Sequence, residues 1–243
     1  MPQTDDNPFH VVIIGDASVG KSCIFLRILD DTNFKWSSRP RLPIIEEYGT
    51  IYLNFDGKRN RFKVRDGGSQ EEFRRTVLIY RYFYNVNGIL LAYDITKRES
   101  FQNLTGWLEM SKAWASPTVE YVLLGNWCDL EEEREVSYEE GREFAEKHNL
   151  IFLEISAKTG ENIPSAMKKL AKKMIDSRRR QEEEKAQKAA AEREKMTLQK
   201  KSQGKVGSLR KILRGLSEIL SDFIFVITVF FDAVLHRSSY DHL

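Results

Sequence analysis

A chain of 243 residues with 41% hydrophobic and 11% aromatic content is long enough for one full domain plus appendages, and its apolar share excludes a disordered or fibrous chain. Its two cysteines, Cys23 and Cys128, exclude a disulfide framework, and the start of the chain lacks the basic and apolar regions of a signal peptide, so a reducing, cytoplasmic setting is expected. The net charge of +2 hides an asymmetry: residues 177–215 hold thirteen Lys/Arg against five Glu, or +8, which leaves −6 for the rest and places the basic charge in the tail. No nucleic-acid partner is expected.

Residues 1–8 are polar and read as a flexible lead. The apolar run Val11-Val12-Ile13-Ile14 closes a strand over 9–14, and Gly15-Asp16-Ala17-Ser18-Val19-Gly20-Lys21-Ser22 follows it. This octet has the spacing of a phosphate loop, in which successive backbone N–H groups curl around an anion at a helix N-terminus and glycine lets backbone approach phosphate. A chance glycine-rich turn is the plain alternative, but it explains neither the Lys-Ser ending nor the strand before and the helix after. Lys21 is then expected to bridge the outer phosphates and Ser22 to ligate Mg²⁺, with nucleotide contacts running through Cys23. Residues 23–29 (CIFLRIL) read as the first helix.

Residues 33–43 contain two prolines and no period, so they read as a long loop beside the phosphates. A strand over 47–55, the turn Asp56-Gly57 and a returning strand over 59–65 form a hairpin that delivers Asp66 to the phosphate side. There Asp66 is a candidate to hold Mg²⁺ through water, and Gln70 is the candidate catalytic residue, orienting a water at the γ-phosphate. Taken alone, Asp66-Gly67-Gly68 is more often just a turn; its place one hairpin after the phosphate loop raises it. Residues 72–84 read as an aromatic-rich helix, 88–93 as a buried strand closed by Asp94, 100–115 as an amphipathic helix, 119–125 as a strand, 138–148 as a helix, 151–155 as the last strand and 163–175 as a final helix. The alternation predicts a three-layer α/β domain with a mainly parallel sheet, one antiparallel edge strand and its ligand at the strands' carboxyl ends. Asn126, Asp129 and Ser156-Ala157-Lys158 fall at such ends. Asp129 can accept from the ring N–H and exocyclic amine of guanine, a donor pair adenine lacks, and the Ala157 N–H is placed for the guanine carbonyl.

With these motifs the chain resembles the Ras superfamily of small GTPases, and most closely the Rab family, over residues 9–175. Besides GDASVGKS, the stretches QEEF (70–73), Tyr93-Asp94-Ile95-Thr96 with Glu99-Ser100-Phe101, REVSYEEG (134–141) and EISAKTGEN (154–162) are Rab-like. The resemblance implies a P-loop NTPase fold with a six-stranded, mainly parallel sheet, helices on both faces and a C-terminal helical extension. It implies GTP/GDP and Mg²⁺ as cofactors, slow GTP hydrolysis, a role in membrane trafficking or signalling, and effector or regulator proteins bound through residues 33–48 and 66–84. The departures concern the switch. The family's Mg²⁺-ligating threonine aligns with Pro40 or Pro43, neither of which coordinates a metal; the glycine whose N–H meets the γ-phosphate is Ser69; and the lysine that packs on the base is Trp127. Ala17 holds a position that varies among small residues. Two readings stay open: a working switch, favoured by Gln70, and a hydrolysis-deficient nucleotide-binding scaffold, favoured by the prolines.

Beyond the domain, residues 176–201 read as a solvated helical spacer and 202–208, with Gly204 and Gly207, as a hinge. From Leu209 apolar residues recur at helical spacing opposite Arg210, Lys211 and Arg214, and the pattern becomes apolar all round before residue 235. The chain carries no cysteine near residue 243, so attachment without prenylation is expected. An interfacial helix over 209–235, peripheral on the cytosolic face of a membrane, is the first reading; docking to protein is the second and a spanning anchor the third.

Overall fold

The computed structural model describes residues 7–29, 48–67 and 83–238. Strand β1 (Phe9–Ile14) leads into helix α1 (Lys21–Leu29), followed by the hairpin β2 (Gly49–Phe55) and β3 (Lys58–Asp66). Strand β4 (Gly88–Asp94), the short helices α2 (Arg98–Gln102) and α3 (Leu104–Trp114), β5 (Glu120–Asn126), α4 (Tyr138–His148), β6 (Ile151–Ile155) and α5 (Ile163–Ser238) complete the described chain. The six strands form one sheet in the order β2-β3-β1-β4-β5-β6, with only the β2–β3 pair antiparallel. This is the expected α/β architecture, a six-stranded, mainly parallel sheet with one antiparallel edge pair.

Strands buried on both faces explain the continuous apolar runs. Val11 and Ile13 point into one core layer with Ile24 and Phe25 of α1 and Leu170 and Met174 of α5, while Val12 and Ile14 point into the other with Leu104, Trp107 and Leu108 of α3. The parallel β1–β3 register sets Ile13 opposite Asp66, so the hairpin ends beside the loop that follows β1. Helix α4 opens with a reciprocal capping box between Ser137 and Glu140 and closes on Asn149 in the left-handed conformation.

Two expectations are corrected. The segment 100–115 is not one helix: it breaks at Asn103, which ends α2 and begins α3. The hinge expected at 202–208 is helical backbone inside α5, passing through Gly204 and Gly207. Each glycine costs a helix about 1 kcal/mol relative to alanine, whereas breaking the helix would orphan about eight backbone groups, so strong helix formers on both sides carry it through. The chain divides into two units, Met1–Arg180 and Gln181–Leu243. The expected loop over 33–43, residues 72–82 of the helix expected over 72–84, and the residues Pro40, Pro43, Ser69 and Gln70 lie outside the described residues.

Candidate nucleotide site

The turn after β1 is shaped by close approach. Gly15 has φ +145°, and a Cβ there would stand 2.1 Å from the Ala92 carbonyl oxygen, so β4 leaves no room for a side chain. Gly20 has φ +94°, and its Cβ would meet Asn126 Nδ2 at 2.3 Å. Lys21 is buried at 4% exposure, and its Nζ donates to the carbonyls of Gly15 (2.9 Å) and Asp16 (2.5 Å), folding the loop around its own lysine. Burial pushes the Lys21 pKa down, while the Asp66 and Asp16 carboxylates pull it back up. No acidic residue occupies the first turn of α1, which keeps that positive helix end for an anion.

Ser22 Oγ donates to Asp66 Oδ2 at 2.6 Å, so the two residues expected to hold Mg²⁺ are in contact although 44 positions apart. A hydroxyl and a carboxylate at the mouth of a phosphate loop are the hard oxygen donors that Mg²⁺ prefers, and the donor set fits that ion. The Gly67 N–H donates to the Ile13 carbonyl at 2.9 Å and pins the end of β3 to β1. Cys23 turns its side chain into the core, where burial and then Asp66 raise its thiol pKa, so only its backbone faces the loop. Val19 is likewise a core side chain, whereas Ala17 and Ser18 are exposed.

The second half of the site gathers at the ends of β5 and β6. Asn126, 1% exposed, donates from Nδ2 to the Val19 carbonyl at 2.9 Å and accepts the Ala157 N–H on Oδ1 at 3.0 Å. The Ala157 N–H expected to meet a base carbonyl is thus engaged by Asn126, because the buried amide needs an acceptor and a donor on opposite sides. Ser156 Oγ donates to Asp129 Oδ1 at 2.6 Å and accepts the Thr159 N–H at 3.0 Å, which fixes the carboxylate plane. The other oxygen, Asp129 Oδ2, is buried and accepts no hydrogen bond; the Lys158 ammonium lies 3.6 Å from it. A buried carboxylate oxygen with lone pairs to fill fits a ligand that brings N–H donors, as guanine does. The Trp127 indole lies against the phosphate loop, its Nε1 3.6 Å from where a Gly20 Cβ would sit, and its backbone is left-handed at φ +74°.

Sequence reasoning missed three residues. Arg27 on α1 donates to the Ala157 carbonyl at 3.2 Å and to the Lys158 carbonyl, holding the base-side loop from below. Asn103 Nδ2 and Trp107 Nε1 each donate to Asp16 at 2.6 Å, to Oδ2 and Oδ1 respectively. No local pattern marks them, since each acts on a residue more than 80 positions away. The other cysteine at the site, Cys128, places Sγ 3.7 Å from Glu161 Oε2, and burial with neighbouring acids pushes its thiol up to about 12. Residues 10–176 match the family model described as the Ras family.

Proposed function

The chain belongs to the Ras family, and from that premise we propose that it is a Rab-like guanine-nucleotide-binding protein that hydrolyses GTP slowly and acts in membrane trafficking or signalling. Family membership makes it a GTP-binding small GTPase. The observation that carries guanine over adenine is Asp129 Oδ2, buried and without a hydrogen bond, while Ser156 holds the other oxygen. Lys21 and the loop N–H groups bind the phosphates, and Asn126 ties phosphate side to base side. Ser22 and Asp66 would hold Mg²⁺, which supplies charge neutralisation between the outer phosphates. Gln70 is the residue proposed to orient the attacking water.

A titration with labelled GDP and labelled ATP tests this directly. GDP should bind far more tightly, and Lys21→Ala should abolish binding; equal affinity for both nucleotides, or none for either, refutes it. Pro40, Pro43 and Ser69 support a second reading, a hydrolysis-deficient scaffold, because lost γ-phosphate contacts remove the differential interaction that drives a switch. Single-turnover hydrolysis, with and without partner proteins, separates the two. Turnover that Gln70→Ala abolishes supports the switch, and equal GTP and GDP affinity without turnover supports the scaffold.

The proposal extends to attachment. Within Gln181–Leu243, the apolar side chains Leu209, Ile212, Leu213, Leu216, Ile219, Leu220, Phe223 and Val226 are 58–67% exposed along the helix. Among the described residues no helix is long and apolar enough to cross a membrane. We therefore take residues 209–235 as an interfacial helix whose apolar stripe enters the acyl boundary while Arg210, Lys211 and Arg214 meet anionic headgroups. Flotation with vesicles tests it: a full-length chain that ignores anionic vesicles refutes it.

A further inference from the structure

We infer that Asn103 and Trp107 are positioning residues for the phosphate loop: by gripping the Asp16 carboxylate, they set how tightly the phosphates of a bound nucleotide are held. The inference rests on the proposed guanine-nucleotide binding.

Asp16 is the second residue of the loop, and it is held from both sides. Its carbonyl accepts the Lys21 ammonium at 2.5 Å, and its carboxylate accepts the Trp107 indole N–H on Oδ1 and the Asn103 amide on Oδ2, both at 2.6 Å. These are short bonds to a charged acceptor, the strong kind. Their donors are stiff: Trp107 is 7% exposed and packed with Leu104 and Leu108 in the core layer under β4.

Asn103 commits its side chain to the loop and not to its own helix. It stands between α2 and α3 as the N-cap of α3, where an asparagine ordinarily accepts a backbone N–H from the helix's first turn. Here it makes no side-chain cap bond, and its amide reaches 87 positions back to Asp16. Its backbone stays right-handed, with its N–H on the Glu99 carbonyl at 3.0 Å and its carbonyl accepting the Trp107 N–H at 3.2 Å, which leaves the side chain available for the loop.

Electrostatics gives the grip its purpose. A carboxylate inside a phosphate-binding turn repels the ligand, and two N–H donors outside the turn point that charge away from it while fixing the carbonyl that receives Lys21. With either donor gone the Asp16 charge is held less firmly away from the phosphates, so the loss should grow with the number of phosphates on the nucleotide.

The test uses the full chain loaded with fluorescent GDP and follows its release on dilution into unlabelled GDP. Trp107→Phe deletes the indole N–H together with part of the ring's packing in the core, whereas Asn103→Ala deletes the other donor from a half-buried position and serves as the cleaner variant. Each should speed release by about tenfold, the scale of one hydrogen bond to a charged group. Because both act through Asp16, the double variant D16A/W107F should release GDP no faster than D16A alone. GMP affinity should fall less than GDP affinity in every variant. Should Trp107→Phe misfold by circular dichroism, the cycle is closed with D16A, N103A and D16A/N103A. Unchanged release rates, effects that add in the double variant, or equal losses for GMP and GDP overturn the inference while the nucleotide reading stands. A wild-type chain that binds no GDP overturns both.

Discussion

Changing Asp129 to Asn tests the base site at its sharpest point. The substitution is isosteric, so the consequence lies in donors and acceptors. Ser156 Oγ already receives the Thr159 N–H and donates to Asp129 Oδ1 at 2.6 Å, which obliges an asparagine to keep its carbonyl toward Ser156 and turn its NH₂ into the buried position now held by Oδ2. A guanine N–H then faces another N–H. The lost bond to a charged acceptor removes about 1.5–3 kcal/mol, and the unpaired buried donor costs about 1–3 kcal/mol more. Together these correspond to a loss of about two to four decades in GDP affinity. The assay is equilibrium titration of labelled GDP against wild type and variant, with circular dichroism as the folding control. A GDP affinity within about fivefold of wild type would show that Oδ2 does not face the base.

Three further outcomes follow from the geometry. Gly20→Ala places a Cβ 2.3 Å from Asn126 Nδ2 on a backbone at φ +94°, and should destabilise the domain by about 2–4 kcal/mol in urea unfolding, whereas Gly57→Ala, at φ +74° but in open space, should cost only about 1 kcal/mol. Glu140 is held at about 2 by the Arg98 guanidinium and then by the Ser137 N–H, below its ordinary 4.5, so its stabilisation is complete above that ordinary value and is lost as pH falls from there toward about 2. Its carboxyl is 38% exposed, which limits the effect to about 1 kcal/mol or less; Glu140→Gln should flatten the acid limb of a melting-temperature profile by that amount and leave pH 7 to 8 unsloped. In flotation, Arg210, Lys211 and Arg214 changed together to Glu should weaken binding to anionic vesicles more than to neutral ones, while Phe223→Asp weakens both; equal loss on both vesicle types for the triple variant would argue against headgroup contact.

The central strands β1, β4 and β5 were legible because both their faces are largely buried, which writes apolar runs into the sequence, whereas the hairpin strands β2 and β3 showed themselves by alternation; β1 and β6 begin and end where expected. Helix α4 spans the 138–148 that was expected, and the structure adds the Ser137–Glu140 capping box that starts it. The phosphate loop was legible for a different reason, because glycine and lysine at fixed spacing meet a local demand of the backbone. What stayed hidden acts across the sheet. Asn103 reaches Asp16, Asn126 engages the Ala157 N–H, and the support under residues 157 and 158 comes from Arg27. Residues 100–115 keep helical period through Asn103, so no reading of period reveals either the boundary there or a side chain bonded to a distant carboxylate. The glycines at 204 and 207 misled in the opposite direction, for a breaker in sequence is only a modest penalty when strong helix formers flank it.

One amide joins the two halves of the nucleotide site. Asn126 carries its acceptor to Ala157 and its donor to Val19 on a single planar group, so it cannot rotate to improve one bond without breaking the other. The loop that surrounds phosphate and the loop that reads the base are therefore mechanically one part, and fragments of a nucleotide should behave cooperatively toward it. Guanosine should bind more tightly in the presence of pyrophosphate, pyrophosphate should gain by the same factor from guanosine, and Asn126→Ala should leave the two fragments indifferent to each other.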